Sequence, residues 1–242
     1  MSHAEQIEAD LRKVARPDKA SFLPKFFQAF PGGYGEGDQF LGCVVPDQRR
    51  VARKHRDASR SVLVELFQSP WHECRLTGML ILVSQFQTAD RPRNPDRESQ
   101  TQDLVDFYLS HLDAADNWDL VDATAPKILG PHLLAHPDQR DVLDRLAASD
   151  SLWRRRTSVV ACLPLIKDGD FSDLLRLAKE LIDDDHDLLH KAIGWMLREV
   201  GKQDLDELRT FLTGHASQMP RTMLRYAIER MPPKERKTWL QA

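Results

Sequence analysis

Apolar residues recur along almost the whole chain at intervals of three and four, the spacing that puts side chains on one face of an α-helix. No stretch shows the strict alternation that a half-buried strand requires. Ile7, Leu11 and Val14 predict a first helix, and Phe22, Phe26, Phe27 and Phe30 a second that begins near Asp18. Residues 31–38 hold four of the eleven glycines and predict a loop, since glycine permits positive φ and close backbone approach. No strand precedes that loop and no Gly-Lys-Ser/Thr follows it, so it is read as a plain or DNA-facing loop rather than a nucleotide cradle. Pro46 suits the first turn of a third helix, where its missing amide hydrogen costs nothing. Helices are predicted over 61–68 and 70–87, then a polar, proline-containing connection over 90–102. Leu104, Phe107, Leu109 and Leu112 resume the helical pattern. Asp116 or Asn117 can cap a helix that starts at Trp118, and Pro126 ends or kinks it near Ala125. In the second half the pattern predicts helices over 137–148, 152–166, 171–182, 186–200, 205–212 and 219–231. The fourth of these follows Asp183-Asp184-Asp185, charges that complement the positive end of a helix dipole.

Three of these helices share a start. Arg75-Leu76-Thr77-Gly78, Arg155-Arg156-Thr157-Ser158 and Lys191-Ala192-Ile193-Gly194 each place a basic residue three before a small one, early in an apolar run. The first two lie 80 residues apart and the last two 36 apart. Periods near 35 to 45 residues with two helices each are what HEAT-type repeats show. One helical pair cannot bury its apolar face alone, so successive pairs stack. The expected fold is therefore all-α: a single domain, 1–242, of HEAT-like repeats wound as a right-handed α-solenoid with a concave face.

Composition narrows the function. Apolar residues make up 41% and charged residues 29%, as in ordinary soluble globular chains. The longest apolar runs, such as Met79-Leu80-Ile81-Leu82-Val83, are too short to span a bilayer, so no membrane is expected. The start, Met1-Ser2-His3-Ala4-Glu5, lacks the basic and then apolar segments of a secretory signal, and three widely spaced cysteines point to reduced thiols in a cytoplasm. A formal net charge of −3 gives no general affinity for polyanions, so any nucleic-acid surface must be local. Residues 49–60 supply one candidate, with six Lys or Arg against one acid, Arg49 and Arg53 among them.

Candidate chemistry is sparse. Trp118 and Asp122 lie four apart, one above the other on a helical face, so an aromatic plane sits beside a carboxylate. That suits a cation or a transition state that becomes cationic, although a core tryptophan beside a solvated acid is the plainer reading. Trp153-Arg154-Arg155-Arg156 spreads three guanidiniums around a helix start, where the dipole does not favour them. Trp195 is flanked on one face by Lys191 and Arg198; a packed tryptophan with snorkelling basic neighbours would look the same. His132/His136 and His186/His190 have metal-ligand spacing but no third ligand, so no metal is expected. Cys74 beside His72 invites a thiol-nucleophile reading, yet the helical pattern turns it inward. No Gly-x-Ser-x-Gly is present.

Taken together, these residues resemble the AlkD-type alkylpurine DNA glycosylases, a family built from HEAT-like helical repeats. The resemblance runs from Phe40-Leu41-Gly42, with Pro46 and Arg49-Arg50 in step, to Glu199. Its most specific pieces are Trp118-Asp119-Leu120-Val121-Asp122 followed by Ala125-Pro126 and Leu129-Gly130, Trp153-x-x-Arg156, and Ala192-Ile193-Gly194-Trp195-x-Leu197-Arg198-Glu199. The resemblance implies that Asp122 is the catalytic carboxylate, Trp118 and Trp195 the active-site tryptophans, and Arg156 the active-site arginine. Contacts to double-stranded alkylated DNA are expected from the basic residues Arg155, Lys191, Arg198, Arg49 and Arg53. The activity implied is excision of cationic N-alkylated purines, of the 3-methyladenine and 7-methylguanine type, by a monomer without cofactor, in the cytoplasm at the nucleoid. Two departures stand out. The family's active-site tyrosine in the second helix falls among Lys25, Phe26 and Phe27, none of which has a hydroxyl, and the glycine loop is longer. Members of the family that bind DNA without excising bases, and HEAT-type protein scaffolds, define the alternatives.

Overall fold

The computed structural model describes residues 1–241. The chain divides into two compact units, Met1–Thr124 and Ala125–Ala242. Among the described residues there are sixteen α-helices and three short 3-10 helices but no strand, only an isolated bridge between Gln39 and Trp71.

The first unit contains α1 (His3–Val14), α2 (Pro17–Phe26), α3 (Val45–Lys54), α4 (Arg60–Phe67), α5 (His72–Ala89), α6 (Arg97–Ser110) and α7 (Trp118–Thr124). A capping box starts α1: the Ser2 hydroxyl accepts from the Glu5 amide, and the Glu5 carboxylate from the Ser2 amide. Ile7 and Leu11 are fully buried, as their spacing predicts. Helix α5 is the centre. Every residue from His72 to Val83 is buried, and α1, α3, α4, α6 and α7 all touch it. Gly78 lets α4 come close: a Cβ there would stand 3.0 Å from the Phe67 ring and 3.1 Å from the Leu66 Cβ.

The second unit contains α8 (Leu129–Ala135), α9 (Asp141–Ala147), α10 (Leu152–Ala161), α11 (Leu163–Lys167), α12 (Ser172–Glu180), α13 (Asp187–Gln203), α14 (Leu205–His215), α15 (Arg221–Ala227) and α16 (Pro233–Trp239). Here α13 is central, in contact with α10, α11, α12, α14 and α15. Gly194 is the point of closest approach, since a Cβ there would meet the Met223 carbonyl oxygen and the Tyr226 Cβ, each at 2.5 Å.

The repeat signal has a structural counterpart. Arg75 Nη1 donates to the Ser69 carbonyl at 3.0 Å, and Arg155 Nη1 to the Ser149 carbonyl at 2.9 Å. The two serines cap the next turn alike, each hydroxyl accepting at 3.2 Å from the amide two residues on, Trp71 or Ser151. The pairs α4–α5 and α9–α10 are thus built on one plan, an arginine of the second helix closing the turn that follows the first.

Several expected boundaries move. Helix α2 stops at Phe26, and Gln28 turns the chain with φ 51°, so Phe30 lies in the loop and not on the helix. The polar stretch 97–102 is the first half of α6, not loop; there only Thr101 is buried, so no apolar period marks it. The predicted 152–166 helix breaks at Cys162 into α10 and α11, with Pro164 opening the second. The 137–148 segment is a 3-10 turn, Pro137–Gln139, followed by α9. Helices α8 and α16 complete the set.

Candidate functional site

Helix α7 is only seven residues long, so neighbours must hold it, because isolated helices of this length do not persist in water. At its start Asn117 is fully buried and its side-chain oxygen accepts from the Trp118 amide at 2.8 Å. At its end the Thr124 hydroxyl meets the Tyr108 hydroxyl at 3.0 Å, and the 3-10 turn Ala125–Lys127 around Pro126 follows at once. Between these ends Trp118 and Asp122 lie one turn apart, both half-buried.

The strongest anchor is ionic. His72 Nε2 donates to Asp119 Oδ2 and Nδ1 to Asp38 Oδ2, each at 2.9 Å. One imidazole therefore joins the first turn of α7 to the end of the glycine loop. Burial opposes the charge on His72, but hydrogen bonds and attraction from Asp119 and Asp38 outweigh it and push the pKa up to about 9. Burial would raise the Asp38 carboxyl; His72 and Arg75 instead hold it below the ordinary range. Arg75 also bonds Asp38 and reaches Asp116 at 3.1 Å, so three acids and two cations form one network. Beneath it, Glu73 accepts from the amides of Leu41, Gly42 and Cys43 at 2.9, 2.7 and 3.0 Å, which fixes the 39–43 segment along the start of α5.

Aromatic rings cover the network. Phe27 stacks on Trp118 at 5.5 Å and on Phe40 at 5.3 Å and lies tilted against His72 at 4.7 Å, while Phe26 meets Trp118 edge-on at 6.0 Å. Phe22, Phe26, Phe27, Phe40, Trp118 and Asp119 are among the walls of a cleft of about 360 Å³. No residue of α2 is buried, and Phe22 and Phe26 are 53% and 48% exposed, an unusual amount of open aromatic surface.

In the second unit, Arg156 is buried and its Nη1 donates to the Leu188 carbonyl in the first turn of α13. That helix carries Lys191, Trp195 and Arg198 at helical spacing on one face. Trp195 Nε1 donates to Glu199 at 3.2 Å, Lys191 pairs with Asp187 at 2.7 Å, and Arg198 pairs with Glu229. Arg155 is occupied by Asp184, at 2.7 Å, besides the carbonyls of Ser149 and Asp150. Back in the first unit, Arg49 and Arg53 stand exposed on α3 without an ionic partner among the described residues. The structure thus gathers Trp118 with Asp122 in one unit, and Arg156 with Lys191, Trp195 and Arg198 in the other.

Other candidates settle into structural roles. Cys74 is fully buried, and burial pushes its thiol up to about 12, which suits packing rather than nucleophilic attack. His132 is buried, with its ring tilted against that of His136 at 4.4 Å and its Nε2 on Gln139. Among the described residues no group of three or more His, Cys, Asp or Glu could hold a metal, and no helix is long and apolar enough to cross a membrane. Sequence reasoning missed His72, Asp38 and Asp119. Their partners are 34 and 47 residues away, and only the acid-rich capping sequence 116–119 hinted at them.

The family described as DNA alkylation repair enzyme matches residues 7–231. The chain belongs to it. Among solved structures, one titled a predicted DNA alkylation repair enzyme from Enterococcus faecalis is similar at 14% identity with a TM-score of 0.68, covering 90% of this chain and 97% of its own. AlkD2 from Streptococcus mutans is similar at 14% identity with a TM-score of 0.54, covering 88% and 97%. At such identity the likeness is one of fold. No curated protein matches the chain.

Proposed function

We propose that this member of the DNA alkylation repair family is a DNA glycosylase that excises cationic N-alkylated purines, of the 3-methyladenine and 7-methylguanine type, from duplex DNA. The observation that carries the reading is the clamped helix α7, which offers a tryptophan face and a carboxylate one turn apart beside an aromatic cleft. Alkylation at a ring nitrogen gives the purine a positive charge and makes it a good leaving group. As the N-glycosidic bond breaks, the base takes the bonding pair and becomes neutral, and C1′ of the sugar acquires oxocarbenium character. This is the charge type that carboxylates stabilise in glycoside hydrolysis. Asp122 faces that charge and orients water for attack at C1′; the water supplies the new hydroxyl, and its proton passes to solvent. Trp118 and Trp195 offer ring faces to the cationic nucleotide, and Arg156 grips a phosphate through its planar fork.

In this reading the whole chain, 1–242, is one domain of HEAT-like repeats in a right-handed solenoid, with double-stranded DNA on its concave face. The shared turn chemistry of Arg75 and Arg155 supports the repeat plan. Arg49 and Arg53 contact the backbone directly, while Arg155, Lys191 and Arg198 do so by exchanging protein acceptors for phosphates. The protein acts as a monomer without cofactor, at the nucleoid. A second reading, DNA binding without excision, is favoured by one observation: Arg156 is buried, and one of its guanidinium nitrogens is already bonded to the Leu188 carbonyl. Incubation with N-methylated duplex DNA decides between them. The glycosylase reading requires free 3-methyladenine or 7-methylguanine and a matching yield of abasic sites; duplex binding with no released base would establish the other.

A further inference from the structure

A second cleft opens in the first unit at the far end of the helices that build the first. The aromatic cleft draws on the early turns of α3 and α5, through Val45, Gln48, His72 and Glu73. The second cleft draws on the last turns, through Arg53 of α3 and Ser84, Gln85 and Thr88 of α5. Along α5, Glu73 and Ser84 are about 17 Å apart at a rise of 1.5 Å per residue. The second cleft has a volume of about 730 Å³. It is a separate place, with separate chemistry.

That chemistry is cationic. Arg53, Arg56, Arg60 and Arg91 line it against two acids, Asp57 and Asp103. Asp103 takes Arg60 Nη2 at 2.6 Å, and the Arg60 guanidinium lies over the Phe107 ring at 4.4 Å, so its plane is fixed. Asp57, 93% exposed, approaches Arg56 only to 3.6 Å, a contact of little strength in water. Arg53 and Arg91 are exposed and have no ionic partner among the described residues. The frame is nevertheless rigid, because Gln85 Nε2 donates to the Arg56 and Ala58 carbonyls at 2.9 and 2.8 Å. Those bonds hold the turn that leads through the Ser59 cap into α4, whose positive dipole end borders the cleft. In a chain of net charge −3, this local excess of cations is a feature of the site and not of the protein at large.

We infer that this cleft is a phosphate-binding site, taking a phosphate or phosphodiester group between Arg53, Arg56 and Arg91. Guanidinium forks approach from more than one wall, and a tetrahedral anion offers oxygens in several directions, whereas a planar carboxylate serves one fork well. Two sources carry the group: the backbone of a nucleic acid, or a free phosphorylated molecule. The inference does not depend on glycosylase activity.

The test uses the full chain and an Arg56→Gln/Arg91→Gln variant, in which both replaced side chains are exposed, so that matched melting curves confirm an intact fold. Pyrophosphate binding is measured by calorimetry, and binding of unmodified duplex DNA is measured against salt. The site predicts at least a tenfold weaker pyrophosphate Kd in the variant. If the source is a backbone, the log–log salt slope for duplex also falls, by about 0.9 for each phosphate that is no longer neutralised. A pyrophosphate effect with an unchanged duplex slope assigns the site to a free phosphorylated ligand. A variant that matches wild type in both titrations overturns the inference. A chain that binds pyrophosphate here yet releases no alkylated base would leave this site standing and remove the glycosylase reading instead.

Discussion

At His72 a charged ring is held between two carboxylates under two phenylalanines. Its folded-state pKa, about 9, lies above the ordinary value of 6.5. The stabilisation from this cluster is therefore complete below the ordinary value and is lost as pH rises through about 9. Wild-type melting temperature should fall across that upper window. His72→Gln should start lower and lack that component of the fall; a variant whose alkaline decline equals that of wild type would show that the imidazolium is not the titrating group. Arg156 is also buried, and its Nη1 donates to the Leu188 carbonyl. Arg156→Ala removes that bond while the α13 ladder still supplies the Leu188 oxygen with a donor, at about 0.5–1.5 kcal/mol. Under the proposed function the same change weakens duplex binding and excision together, which a binding titration beside an excision assay would reveal.

Among the elements, α7 and α13 carry the proposed chemistry, and each depends on a close neighbour. At Gly194 even one methyl group would press on the Met223 carbonyl. Gly194→Ala should thus destabilise by about 1–3 kcal/mol, read as a lower denaturant midpoint with unchanged slope. Wild-type stability in that variant would mean that α15 can shift away freely. These two helices were legible in the sequence because their apolar period, their capping residues and the Trp118–Asp122 and Trp195–Glu199 motifs coincide. The start of α6 was not, since residues 97–102 present a solvated face with a single buried threonine. The end of α2 was overrun because Phe30 continues the phenylalanine spacing past a turn that Gln28 makes with positive φ. The His72 clamp was illegible for another reason. Each of its bonds joins residues far apart in sequence, and no local pattern encodes such a partner.

At the scale of the whole molecule, charge sets the terms of DNA binding. A chain of net −3 must bind a polyanion through local arginines and lysines, so affinity should fall steeply with salt. Duplex binding that is insensitive to salt would contradict the assignment of Arg49, Arg53 and Lys191 to the backbone. The central claim is that Asp122 stabilises charge that develops only in the transition state, and Asp122→Asn separates this from binding. The substitution keeps the shape and removes the charge, and matched melting curves check that the fold survives it. The direct measurement is single-turnover excision of 7-methylguanine with protein in excess, run beside a binding titration on the same duplex. The account predicts a rate lower by roughly two orders of magnitude or more with affinity unchanged or slightly tighter, because a carboxylate facing a polyanion adds nothing favourable to ground-state binding. Excision by Asp122→Asn at the wild-type rate would contradict it.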